Sequence, residues 1–216
     1  MIPQRIFLIR HGESIANIDR GIYSQLHGVN ISLTDKGYTQ ARQCGKILNT
    51  KLVSNNIFFY LSPYLRTRQT FKTLLDELGD VNSIIREEPR IREQDFGNPR
   101  DQFIDFSKDP DYNKCGSFFY RFPNGECGAD VYDRVSSFFY TLHRNFLKKD
   151  FPENVVIITH GMLMRIFLMR WYHWTVEEFE KLKNPPNCYI CNMILAKDRY
   201  QLEKPFPKKD LTTLSR

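Results

Sequence analysis

Arg5-Ile6-Phe7-Leu8-Ile9-Arg10-His11-Gly12 and Val155-Val156-Ile157-Ile158-Thr159-His160-Gly161 share one layout: a short apolar run, then His-Gly. A run of this length closed by a turn signal suits a strand buried on both faces, as in a parallel sheet. In open parallel sheets the carboxyl ends of the strands form the ligand crevice, so two histidines so distant in sequence can share one site. Each glycine lets backbone come close to a ligand. Arg10, and the helix N-terminus expected after His160, would both attract a phosphate.

Working outward, the residues after Thr34 carry Tyr38, Ala41, Cys44, Ile47 and Leu48 at helical spacing, with Thr34 placed to cap the first turn. Ile57 to Leu61 reads as a second buried strand, and Ser62-Pro63 as the N-cap and first position of a helix running to Leu78, where Gly79 is a natural stop. A third strand is expected at Ile84 to Arg86. Residues 87–125 then become irregular, a length more often functional than idle. Val131, Val135, Phe138, Phe139, Leu142 and Phe146 mark one face of a helix over Ala129 to Leu147. The strand ending at Thr159 opens a helix from Met162 to Trp171, and a last strand covers about Tyr189 to Ala196. Strands alternating with helices predict a three-layer α/β/α sandwich with a largely parallel central sheet. One domain over residues 1–216 is expected, with a core of about 5–196 and a C-terminal tail of about 203–216. Lys204 to Lys209, broken by Pro205 and Pro207, reads as solvated.

The composition is that of a globular protein: 216 residues, 41% hydrophobic and 26% charged. The net charge of +6 favours an anionic partner, but the basic residues are spread along the chain rather than gathered in one arm. Small phosphorylated substrates fit that charge as well as nucleic acid does; the motifs, rather than the charge, lead to the expectation of a small phosphorylated substrate or a phosphoprotein, with no nucleic acid. Five cysteines without the density of a disulfide scaffold predict reduced thiols. Cys188-x-x-Cys191 lacks a second pair at zinc-ligand spacing, so both are read as structural and no metal is expected. No apolar run reaches the roughly 20 residues that span a bilayer, and neither a signal peptide nor a lipidation signal is read. The expected compartment is the cytoplasm, with the nucleus second. Exposed apolar residues expected around Trp171 and Trp174 invite a test for a homodimer.

Two further elements carry chemistry. Leu61-Ser-Pro-Tyr-Leu-Arg66-Thr-Arg68 leads from a strand end into a helix whose first turn could point Arg66 into the same crevice, where its planar fork can grip two phosphate oxygens. Arg92-Glu93-Gln94-Asp95-Phe96-Gly97 places acidic residues in the irregular region, where a general acid is expected. Taken singly each has a plain structural alternative. Glu93 could pair with Arg90 or Arg92, and an arginine on a helix is usually solvated. The combination at four strand ends points to one phosphate-handling site.

Arg10-His11-Gly12-Glu13-Ser14 with Asn17 is similar to the R-H-G-E-S/T-x-x-N signature of the histidine phosphatase superfamily, branch 1, which includes the cofactor-dependent phosphoglycerate mutases and fructose-2,6-bisphosphatase. The resemblance continues in Leu33-Thr34-x-x-Gly37-x-x-Gln40-Ala41, in Ser62-Pro63-x-x-Arg66-x-x-Gln69-Thr70 and in Thr159-His160-Gly161. It implies His11 as nucleophile, with Arg10, Arg66 and His160 supplying charge around the phosphoryl group and Glu93, rather than Asp95, as proton donor. Asn17 matches a further phosphate-contacting position, with Ser14 assisting and Gly161 beside the ligand.

Tyr120-Arg121-Phe122-Pro123-Asn124-Gly125-Glu126 resembles the fructose-2,6-bisphosphatase stretch Y-R-Y/F-P-x-G-E. Residues 87–136 resemble the eukaryotic subgroup called phosphoglycerate mutase-like. After the acid, Glu93-Gln-Asp-Phe-Gly-Asn-Pro departs from the mutase pattern E-R-x-Y-G-x-L-x-G. The resemblance thus implies phosphomonoester hydrolysis first, without a cofactor. Phosphoglycerate mutase, which would need 2,3-bisphosphoglycerate, comes second, and a non-catalytic phospholigand-binding scaffold a distant third. Arg20, Tyr23, Arg100, Tyr120 and Arg121 are candidate contacts to the rest of the substrate.

Overall fold

The computed structural model describes residues 2–97 and 109–210. Six strands, β1 (Arg5–Arg10), β2 (Asn56–Leu61), β3 (Asn82–Glu87), β4 (Asn154–Thr159), β5 (Ile190–Ala196) and β6 (Arg199–Leu202), form one sheet in the order β3-β2-β4-β1-β5-β6. The first four are mutually parallel, while β5 and β6 run antiparallel at one edge. β4 is buried along its whole length and β1 along all but its ends, which is why both read as unbroken apolar runs.

Alternate strand residues feed two cores, as the period of two demands. Ile6, Leu8, Phe58, Tyr60, Val155 and Ile157 pack under α5 (Gly128–Phe146) and α6 (Gly161–Tyr172). Phe7, Ile9, Ile57, Phe59, Val156 and Ile158 pack on the other face under α2 (Asp35–Asn49) and α3 (Leu65–Leu75). These are the three layers expected. The short helices α1 (Ile15–Ile18), α4 (Pro110–Phe119) and α7 (Val176–Glu180) lie between the major elements.

Several expectations change. Ser62 does not cap α3: the N-cap is Tyr64 and the helix starts at Leu65, while the Ser62 hydroxyl accepts from His160. The stretch 87–125 is not wholly irregular, since α4 occupies part of it, interrupted at Gly116, whose φ of +73° breaks the helical path. Residues 203–209 are not a solvated tail. Phe206 is buried in the α5–α6 core, the Lys183 amide donates to the Pro207 carbonyl at 2.9 Å, and Leu182 bridges to Lys208. Trp171 and Trp174 are half-buried, with Trp171 stacked on Phe167 and Trp174 on Tyr172, so they edge the core rather than form an exposed patch. All five cysteines are unbridged. Cys188 and Cys191 lie in opposite cores and form no pair. Among the described residues no helix is long and apolar enough to cross a membrane, and no cluster of His, Cys, Asp or Glu could hold a metal ion.

Candidate active site

Strand register brings the two His-Gly turns together. Arg10 pairs with Thr159 across β1 and β4, so His11 and His160 leave neighbouring strands side by side, with ring centroids 5.2 Å apart. The His11 amide donates to the Thr159 carbonyl at 3.0 Å, and the Ser62 amide, from the end of β2, to Ile158 at 3.1 Å. Three adjacent strand ends thus converge.

His11 is 4% exposed, and its Nδ1 is 2.7 Å from the Gly12 carbonyl oxygen. A carbonyl only accepts, so Nδ1 carries the proton and Nε2 keeps its lone pair. Arg66 Nε, which only donates, lies 3.2 Å from that Nε2, consistent with the same tautomer. Burial, with Arg66 and then Arg10 adding to it, holds His11 well below the ordinary imidazole value. His11 is a neutral imidazole with its nucleophilic nitrogen facing a guanidinium.

His160 is fully buried. Arg66 Nη2 is 3.2 Å from its Nδ1, so Nδ1 accepts and Nε2–H donates to Ser62 Oγ at 2.7 Å. Burial, followed by Arg66 and His11, also holds this ring well below the ordinary value. His160 therefore orients Arg66 instead of supplying positive charge, a correction to the expectation of a charged second histidine. The Tyr64 ring stacks edge-on against His160 at 5.0 Å and lies under the Arg66 guanidinium at 4.8 Å.

Arg66, 4% exposed, spends its third nitrogen on the Gly28 carbonyl at 2.7 Å and has no carboxylate partner among the described residues. Arg10 donates to the Pro185 carbonyl, and its buried Nε has no partner. Two guanidiniums therefore meet at the histidines without carboxylate bonds, an arrangement that holds an oxyanion well.

Glu93 does not pair with Arg90 or Arg92. Arg90 grips Glu88 through both carboxylate oxygens, at 2.7 and 2.6 Å, and Arg92 binds Glu126. The Glu93 carboxylate instead faces the first turn of α6, with the Met162 and Leu163 amides at 3.4 and 3.3 Å. The N-terminus expected to receive phosphate thus faces the Glu93 carboxyl group. Asp95 is exposed and turns back to the Gly97 amide.

Ser14 and Asn17 form an interlocked cap at the start of α1: Asn17 Oδ1 accepts from the Ser14 amide at 2.9 Å, its hydroxyl at 3.1 Å, and Asn187 Nδ2 at 3.1 Å. Tyr23 lies within the fields of Arg66 and Glu93, with burial raising its phenol above the ordinary value. Arg20 is exposed beside it. Gly161 begins α6, where a Cβ would come 3.1 Å from the Asn184 side chain.

Two candidates are engaged elsewhere. Tyr120 donates to Asp109 at 2.7 Å, which pushes its phenol up to about 12. Arg121 bridges Asp130 at 2.6 Å, and pulls that carboxyl down to about 2. Arg100 lies outside the described residues.

Sequence reasoning missed the loop of residues 183–188. Its Asn187 donates to the His11 carbonyl at 3.1 Å, and its Pro185 carbonyl receives Arg10. The Pro185-Pro186 pair was a signal of rigidity there, but not of its place in the fold.

An open α/β sheet that presents a buried neutral histidine between two guanidiniums at adjacent strand ends defines a class: an anion site built around a nitrogen nucleophile. The chain belongs to the histidine phosphatase superfamily, branch 1, whose model matches residues 6–206. It is 40% identical over 227 residues to the phosphoglycerate mutase-like protein AT74 of Arabidopsis thaliana, covering 99% of this chain and 72% of that protein. It is 33% identical over 313 residues to the broad-range acid phosphatase DET1 of Saccharomyces cerevisiae, covering 98% and 93%. The fold also matches Bacillus stearothermophilus YhfR, with a TM-score of 0.71 at 20% identity over 92% of this chain and 95% of that one.

Proposed function

We propose that the protein hydrolyses phosphomonoesters through a phosphohistidine on His11. The observation that carries this reading is the tautomer: Nδ1–H is tied to the Gly12 carbonyl, so Nε2 is unprotonated and its lone pair accepts from Arg66 Nε. Nε2 attacks phosphorus in line, and the P–O bond to the leaving group breaks as the P–N bond forms. Arg66 and Arg10 take the charge on the equatorial oxygens, an interaction often worth several kcal/mol. The unpartnered Arg10 Nε–H gains an acceptor in that state. Glu93 gives its proton to the leaving oxygen. It then takes one from the water that cleaves the P–N bond, releasing phosphate and restoring His11.

Hydrolysis is favoured over transfer to a second hydroxyl because the residues after Glu93 depart from the mutase pattern. The full-length similarity to an acid phosphatase supports the same side. A small phosphorylated substrate or a phosphoprotein fits the site's charge, and no cofactor is required.

The test is a rapid quench with a phosphate-labelled monoester in alkaline denaturant, where a P–N bond survives. Label should appear on His11, vanish in His11→Ala, and turn over to inorganic phosphate. Turnover without label on histidine refutes the mechanism. Conversion of 3-phosphoglycerate to 2-phosphoglycerate dependent on 2,3-bisphosphoglycerate would replace hydrolysis with the mutase reaction, and tight ligand binding without turnover would indicate a scaffold.

A further inference from the structure

Arg92 to Asp95, the segment that presents Glu93, belongs to no helix or strand, yet two residues outside the catalytic set bond its Arg92 and Glu93 carbonyls and both the amide and the carbonyl of Asp95. Arg134, on α5, donates Nη1 to the Arg90 and Arg92 carbonyls at 2.6 and 2.8 Å and Nη2 to the Glu93 carbonyl at 3.2 Å. Glu126, in the turn before α5, accepts from Arg134 Nε and Nη2 at 3.0 and 3.1 Å and from the Asp95 amide at 2.9 Å. It also takes Arg92, which would otherwise compete for Glu93. Its backbone finishes the clamp, donating to the Asp95 carbonyl at 2.8 Å and accepting from Gln94 Nε2 at 2.9 Å. The Arg134 and Glu126 side chains are 10% and 14% exposed.

Charge-assisted bonds in so dry a place are strong and directional. Anchoring the loop only for stability would not require bonds on both sides of the Glu93 side chain, to the Arg92 and Glu93 carbonyls and to the Asp95 amide, together with engagement of the neighbouring Arg92 guanidinium by Glu126. We infer that Arg134 and Glu126 are positioning residues that set the Glu93 carboxyl at the leaving-group oxygen. The inference rests on the proposed role of Glu93 as proton donor.

The readout is leaving-group dependence. p-Nitrophenyl phosphate expels a weakly basic oxygen that needs little protonation, whereas glycerol 2-phosphate expels an alkoxide that needs a full proton. kcat/KM reports steps up to phosphohistidine formation, so later hydrolysis does not blur it. For Arg134→Met, kcat/KM on glycerol 2-phosphate should fall about 10²-fold, the low end of a general-acid contribution. On p-nitrophenyl phosphate it should fall less than about threefold. Arg134→Lys, which keeps the charge but only some of the bonds, should recover part of the loss, and Glu126→Gln should bias the two esters in the same direction. The ratio of the two esters within one variant is independent of how much of the sample is folded. Equal losses on both esters, or no loss on either, overturn the inference. If the unmutated protein traps no phosphohistidine, the functional reading falls and takes this inference with it; a trapped phosphohistidine with an unchanged ester ratio overturns the clamp alone.

Discussion

Gly37→Ala is a one-carbon change in a helix, where alanine normally stabilises by up to about 1 kcal/mol over glycine. Here the sign should reverse. A Cβ on Gly37 would lie 2.0 Å from the Glu13 carbonyl oxygen and 3.0 Å from its carbon, both backbone atoms that cannot swing aside. Ordinary contact begins near 3.4 Å, so α2 and the turn after His11 would have to part by more than about 1 Å. That opening strains the bonds joining them: the Thr34 amide to the Glu13 carbonyl at 2.9 Å, and the Glu13 amide to Gln40 at 2.8 Å. Overpacking costs about 1–3 kcal/mol, and each weakened hydrogen bond about 1 kcal/mol more. A net loss of about 3 kcal/mol is expected, lowering Tm by about 6–12 °C for a chain of this size. His11 is two residues from the clash, and a displacement of about 1 Å at a reacting centre can cost about 10²-fold in rate. The assay pairs thermal melting with the rate of label transfer to histidine. Thr39→Ala, exposed on the same helix, is the control and should leave both unchanged. A Gly37→Ala protein melting within about 2 °C of the parent and labelling at the parental rate would refute the reasoning.

Other substitutions probe the supports of the site. Thr70→Val keeps the shape but removes the hydroxyl that accepts the Gly12 amide at 3.0 Å; the stranded buried donor should cost about 1–3 kcal/mol, read as a lower urea midpoint at constant m. Ser62→Ala deprives the His160 Nε2–H of its acceptor, and the loosened ring should misalign Arg66 and slow phosphohistidine formation about tenfold; a parental rate would mean that Arg66 needs no fixed imidazole. Both buried histidines are held neutral, so the unfolded chain binds protons that the folded one refuses once the pH falls below about 6.5. The stability they contribute is complete above that pH and is lost as the pH falls below it. The drop in Tm between pH 7.5 and pH 5 should shrink in His11→Asn, and an undiminished drop would count against a neutral His11. Its lone pair persists in acid, so phosphohistidine formation should not titrate away near pH 6.5.

What was legible in the sequence tracks how local the deciding physics is. β1 and β4 were readable because a strand buried on both faces carries polar residues only at its ends. The meeting of His11 and His160 was inferred from the general crevice rule, whereas its geometry comes from the Arg10–Thr159 register, a long-range pairing that no local pattern encodes. Ser62-Pro63 looked like a helix start because proline favours the first helical position, but the Ser62 hydroxyl meets His160 and α3 starts three residues later, at Leu65. Docking of residues 203–209 escaped notice for a similar reason. One aromatic, Phe206, outweighs six polar or proline neighbours once a core is within reach, and that core is built by α5 and α6.

The same limit governs the site. The residues alone could not say which of Glu93 and Asp95 was free for chemistry, because the answer depends on where the arginines go. Arg90 finds Glu88 two positions away, but Arg92 finds Glu126 across the fold, and only then is Glu93 left to the α6 N-terminus. A proton donor in such a site is defined by the charges its neighbours have already claimed. The groups to vary are therefore as much Glu126 and Arg134 as Glu93 itself, since altering the donor removes the proton whereas altering its competitors shows whether placement mattered.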